Sequence, residues 1–79
     1  MTSVPRGVTA RQFIRALQAD GFELRKIRGS HHIYGNVDGR RVVVAYHHAG
    51  DTFPIGTLRA MINGADWKEE DLRRLSLAD

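Results

Sequence analysis

The shortness of the connections between residues 22 and 46 restricts the fold of this chain more than any other feature. Three segments there have the character of extended strands. Phe22 to Arg25 alternates apolar and charged, His31 to Tyr34 is a short second run, and Arg40 to Tyr46 holds three consecutive valines. A basic stretch ending in Gly29-Ser30 separates the first two. Asn36-Val37-Asp38-Gly39, with its Asp-Gly hairpin signal, separates the second and third. Parallel neighbours need a crossover of roughly a dozen residues or more, and neither connection is that long. The three strands must therefore be antiparallel neighbours in one meander.

Such a sheet needs cover, and the flanking sequence supplies helices. Thr9 to Gln12 has capping-box spacing, and Ala10, Phe13, Ile14 and Leu17 follow as one apolar stripe closed by Gly21. Arg11, Arg15 and Gln18 lie off that stripe and should be wet. After a loop from His47 to Pro54, Gly56-Thr57 opens a second short helix carrying Leu58, Met61 and Ile62, which Gly64 is expected to interrupt or kink. Asp66 to Glu69 repeats the capping-box spacing ahead of Leu72 and Leu75, for a last short helix with Trp67 in the core. The fold class is α+β: a helix, a three-stranded antiparallel sheet, a helix and a short C-terminal helix, with the helices on one face. Residues 1–8, with Pro5 and Gly7, are expected to form a flexible N-terminus, and 9–79 a single domain.

With 79 residues and no cysteine, the chain can form neither a disulfide nor a thiolate metal site, which favours the reducing cytoplasm. No apolar run approaches the roughly 20 residues that span a bilayer, and Met1 to Gly7 offers no signal peptide. Ten of the twelve basic residues are arginine. From Arg6 to Arg59 nine basic residues face four acidic ones, whereas three face five from Ala60 onward. The first part is thus the one suited to a polyanion, and the guanidinium fork suits phosphate.

All four histidines lie in two pairs, His31-His32 and His47-His48. Neighbours on a strand point to opposite faces. With Ile33 taken as the core residue, His31 shares its face, and His32 shares the other, open face with Tyr34. Three readings stay open. The pairs can be ordinary polar residues at strand ends. They can be part of a metal site with Asp51 as third ligand, although the spacing matches no zinc pattern. Or they can serve acid–base chemistry, for which imidazole is suited. Cleavage of RNA needs little more, because the 2′-hydroxyl is a built-in nucleophile and nearby cations can steady the phosphate.

Three stretches taken together resemble the HicA family of mRNA-interferase toxins, over about Thr9 to Ile62. They are Gly29-Ser30-His31-His32-Ile33-Tyr34, then Val42-Val43-Val44 leading to His48, then Gly56-Thr57-Leu58-Arg59-Ala60-Met61-Ile62. The resemblance implies a fold like the double-stranded-RNA-binding domain. It also implies a ribonuclease that cleaves mRNA and is held inactive by a cognate HicB-type antitoxin. The family's catalytic histidine, in its Gly-Ser-x-His motif, lands on His32. Two departures stand out: Tyr46 occupies a position where the family often has proline, and the chain continues past Gly64 with Trp67 and three acidic residues.

The resulting expectation is a cytoplasmic toxin endoribonuclease with His32 as general base or acid. Arg25, Lys26, Arg28 and Arg59 would contact phosphate, with Ser30 and His48 as helpers. Its partners would be mRNA and the antitoxin, with no metal, no small-molecule cofactor and no membrane. A non-catalytic RNA-binding module using the same sheet is the alternative. A protein-interaction domain whose basic face meets an acidic protein is a third.

Overall fold

The computed structural model describes Pro5 and residues 7–78. The expected order is found: α1 (Ala10–Ala19), β1 (Glu23–Arg28), β2 (His31–Gly35), β3 (Arg41–Ala45), α2 (Ile55–Ala65) and α3 (Glu69–Arg74). The expected loose N-terminus falls mainly on residues 1–4 and 6, outside the described residues. Val8, the last residue of that stretch, packs into the core.

α1 begins where the sequence says it should. The Thr9 hydroxyl accepts from the Gln12 amide at 3.2 Å, and the Gln12 side chain accepts from the Thr9 amide at 2.9 Å. Gly21 takes the left-handed conformation (φ +87) that ends the helix. Ala10, Phe13, Ala16 and Leu17 are buried, and Arg11, Arg15 and Gln18 are exposed.

The strands form one antiparallel sheet in the order β1-β2-β3. The two-residue link Gly29-Ser30 joins β1 to β2 through a left-handed Gly29. The second turn is held by the Asn36 side chain, whose oxygen accepts from the amides of Asp38 and Arg40. The helices lie on one face, over Tyr34, Val42 and Val44, which join Phe13, Leu17, Phe22, Leu58, Met61, Ile62, Trp67 and Leu72 in a single core. Each large side chain so buried stabilises the fold by roughly 1.5–3 kcal/mol. The arrangement is that of double-stranded-RNA-binding domains.

Three local expectations are corrected. Gly64 does not interrupt α2, which runs through it to Ala65. A Cβ on Gly64 would lie 3.0 Å from the Arg41 carbonyl oxygen, so this glycine lets α2 approach the backbone of β3 closely. Asp66 does not open α3. It sits in the left-handed conformation (φ 58) that closes α2, and α3 is started instead by Asp71, whose carboxylate accepts from the Lys68 amide at 2.9 Å. The half-buried first strand expected over Phe22–Arg25 is a longer, wholly exposed edge strand, with only Phe22 just ahead of it in the core. The helix layer covers β2 and β3 and leaves β1 overhanging. α3 is tied back to α1 through Asp20, which accepts from the Trp67 indole at 2.7 Å and from Arg74 at 2.9 Å.

Candidate active site

The meander brings both histidine pairs to one end of the sheet. His31 begins β2 and is paired with Arg28 on one side and with Ala45, the last residue of β3, on the other. His47-His48 follows two residues later.

The two sides of β2 are the reverse of those expected. Tyr34, not Ile33, faces the helices: it is 4% exposed and lies opposite Val42. By strand alternation His32, opposite the buried Val44, lies on this same covered face, at its rim. Ile33, opposite Val43, points to the open face together with His31. Burial pushes the Tyr34 phenol above its ordinary pKa, with the nearby Tyr46 adding to the effect, so Tyr34 stays a neutral core side chain.

At the rim the His32 imidazole is half-buried and held by two contacts. Its ring stacks on Tyr46, with centroids 4.3 Å apart and planes 18° from parallel. Its Nδ1 lies 3.0 Å from the Ser30 carbonyl oxygen. A carbonyl can only accept, so Nδ1 carries the hydrogen, and in the neutral ring Nε2 keeps a free lone pair. The same Ser30 oxygen accepts from the Tyr46 amide at 3.0 Å, so one carbonyl ties both stacked residues together. The backbone of the Gly29-Ser30 link thus orients the histidine.

The second pair is arranged differently. Its backbone is pinned, since the amides of His47 and His48 donate to one oxygen of Asp51 at 3.2 and 3.0 Å. Those amides, His48's first and His47's second, hold the Asp51 carboxyl below the usual carboxylate range. The loop in turn caps α1, because Ala10 and Arg11 donate to the carbonyls of Asp51 and Ala49. The His48 ring itself is 85% exposed, and its Nδ1 stands 4.0 Å from Asp51.

The basic residues are not gathered around His32. Lys26 and Arg28 pair with Ile33 and His31 and so lie on the open face. Arg25 sits at an irregularity in β1, with its side chain across Gly35: a Cβ there would be 3.3 Å from Arg25 Nε. Arg25 and Lys26, with Arg40 and Arg41, line an open-face hollow of about 490 Å3. Arg40 is committed to Asp66 at 3.2 Å. Arg59 stands apart on α2. The helix starts at Ile55, two residues before the expected Gly56-Thr57 opening is complete, which places Arg59 in the second turn. At 100° per residue it lies on the flank opposite the Thr57, Ala60 and Gly64 row that faces β3.

Two residues at the site escaped the sequence reading. In the sequence Tyr46 stands out only as a departure from a proline pattern, although an aromatic residue one strand away from a histidine is a plain candidate for stacking. Ile27, directly opposite His32 and 55% exposed, fell inside a stretch read only as basic. Among the described residues, no three His, Asp or Glu side chains converge as metal ligands would.

Residues 10–67 match the family model of the HicA toxin of bacterial toxin–antitoxin systems. The chain belongs to the HicA family. It is therefore a toxin of a toxin–antitoxin system, and membership implies an antitoxin partner. The matched span of this HicA toxin takes in α1, the whole sheet, α2 and Trp67, and ends before α3. No curated protein shows significant similarity to the chain. Among the described residues no helix is long and apolar enough to cross a membrane.

Proposed function

We propose that this HicA toxin is a cytoplasmic endoribonuclease that cleaves mRNA with the RNA's own 2′-hydroxyl as nucleophile, and that a HicB-type antitoxin restrains it. The observation that carries the reading is the fixed imidazole of His32. With Nδ1–H bound to the Ser30 carbonyl and the ring face held against Tyr46, Nε2 is the free proton acceptor. A base held in one tautomer and one orientation is what proton abstraction requires.

In the chemical step, His32 Nε2 takes the 2′-hydroxyl proton. The O2′–P bond forms as the P–O5′ bond breaks, and O5′ leaves with a proton drawn from water. The products are a 2′,3′-cyclic phosphate and a free 5′-hydroxyl end. Charge building on the phosphate is met by guanidinium groups. Arg28, at the end of β1 beside the Gly29-Ser30 link, would take that role by reaching round the end of the sheet from the open face. Arg25 and Lys26 continue the cationic line along β1, Arg59 adds a contact from α2, and the Ser30 hydroxyl and the exposed His48 ring serve RNA binding.

A matched pair of substrates tests this reading: an RNA and its 2′-O-methyl form, each with and without excess chelator. The RNA should be cut equally in both conditions and the 2′-O-methyl strand should bind but stay whole. Cutting of the 2′-O-methyl strand would remove the internal nucleophile, and loss of RNA cleavage in chelator would point to a metal. Salt-sensitive binding without cleavage of either strand would favour an RNA-binding module.

A further inference from the structure

β1 is unlike the other two strands in three independent ways. It is an outer strand of the sheet, so one row of its backbone N–H and C=O groups has no strand partner. Its helix-side face carries two large apolar side chains left in water, Leu24 at 46% and Ile27 at 55% exposure, because the helix layer stops short of it. Its other face carries Arg25, Lys26 and Arg28, none of which forms an ion pair among the described residues. A free edge, an apolar row and a cationic row on one six-residue strand together describe a docking surface for another strand.

We infer that the antitoxin docks by adding a strand to the free edge of β1, a strand that alternates apolar residues, laid on Leu24 and Ile27, with acidic residues, laid on Arg25, Lys26 and Arg28. This rests on the toxin–antitoxin reading above and names the surface its partner uses. The alternation follows from β1 itself, since successive residues of an added strand must meet its two faces in turn. A second copy of the toxin does not fit, because pairing β1 with β1 would set cations against cations. The register irregularity between Leu24 and Lys26 and the lysine on the edge are further guards against self-pairing. RNA can use the cations of the open face, but it would leave the two apolar side chains and the backbone edge unsatisfied, so it is not the occupant of the edge.

The placement also gives a route to inhibition. Ile27 lies directly across from His32. A side chain of the added strand resting on Ile27 therefore closes the open side of the imidazole, and the toxin is blocked without any contact to the ring.

The probe is the small protein encoded beside the toxin, used in two measurements. Amide exchange should show the β1 amides that point away from β2 slowing by about 100-fold or more in the complex. Leu24→Asp and Ile27→Asp should each weaken the complex by roughly 30-fold or more, as loss of a central contact does. RNA cleavage by the free Leu24→Asp variant should be unchanged. A tight complex in which these amides exchange as in the free toxin overturns the docking mode and leaves the toxin reading intact, and so does full affinity in both variants. Absence of any complex, together with absence of RNA cleavage, overturns both. The exchange measurement uses the wild-type chain, so a variant that fails to fold does not decide the outcome.

Discussion

His31-His32 and His47-His48 are the same dipeptide placed at the same end of the sheet, one inside a strand and one just beyond a strand. In the strand, the backbone is fixed by the ladder, and the His32 ring gains two neighbours of its own, the Ser30 carbonyl and Tyr46. In the loop, Asp51 fixes the backbone of the pair and leaves the His48 ring in solvent. Both backbones are held by hydrogen bonds, but the His32 ring is held by neighbours while the His48 ring stands in solvent. On the proposed mechanism, readiness for proton transfer comes from the shell around an imidazole and not from the presence of histidine in a motif.

The largest expected effect tests that difference directly. His32→Ala should lower kcat for RNA cleavage by roughly 10²-fold or more, the usual scale of general acid–base catalysis. His48→Ala should raise KM by about threefold with kcat unchanged, as loss of a binding contact does. Equal losses of kcat in the two variants would erase the distinction between the pairs.

A smaller effect sharpens it. Tyr46→Leu removes the ring that stacks on His32 and should lower kcat by about tenfold, with Tyr46→Phe restoring it. Ring-nitrogen NMR should show His32 held with the hydrogen on Nδ1 in the wild type and in Tyr46→Phe, and a mixture of tautomers in Tyr46→Leu. If the Phe variant behaves like the Leu variant, the phenol oxygen and not the stack is what matters.

The smallest effect concerns the other pair. The Asp51 carboxyl is held below its ordinary range because its charged form accepts the two histidine amides. A depressed folded value means the anchoring is fully present above the ordinary carboxylate pKa of about 4 and fades as pH falls through the lower, folded value. Exchange protection of the His47 and His48 amides should thus be flat from neutrality to about pH 4 and drop below it. Asp51→Ala should abolish that protection at every pH while moving Tm by no more than about 4 °C, as surface changes do. Protection that drops near pH 6 would instead assign the anchoring to a histidine.

Much of the fold was open to reading because local signals and global need agreed. Thr9, Gln12 and Gly21 bound α1, and the short links could only make a meander. The failures have physical causes. In Val42-Val43-Val44 every position is apolar, so the strand carries no phase, and β2 had to be phased from Ile33 against Tyr34. Hydropathy favours isoleucine, but the helices cover the tyrosine. Gly64 looked like a break because a missing Cβ reads the same whether a helix ends or a neighbouring backbone presses close. β1 hid its apolar face because the irregularity sets Leu24 and Ile27 three residues apart, off the period of two. At the site, His32 and the arginines were visible as residue types. Their separation onto opposite faces depended on the phase that the valines concealed.

Trp67 is the chain's one tryptophan, and it sits where α1, Phe22 and α3 meet: its ring centroid is 5.3 Å from Phe13 and 6.3 Å from Phe22, and its indole is bonded to the Asp20 carboxylate. Phe22 leads into the Glu23 end of β1, which pairs with Gly35, so this junction lies at the opposite end of β2 from His32. The toxin's ultraviolet emission therefore comes from a single indole that senses whether the last helix is closed onto the first, and that lies far along the sheet from His32. Emission wavelength and substrate cutting are separate channels in one cuvette, so a variant that has lost its chemistry can be told at once from one that has lost its shape.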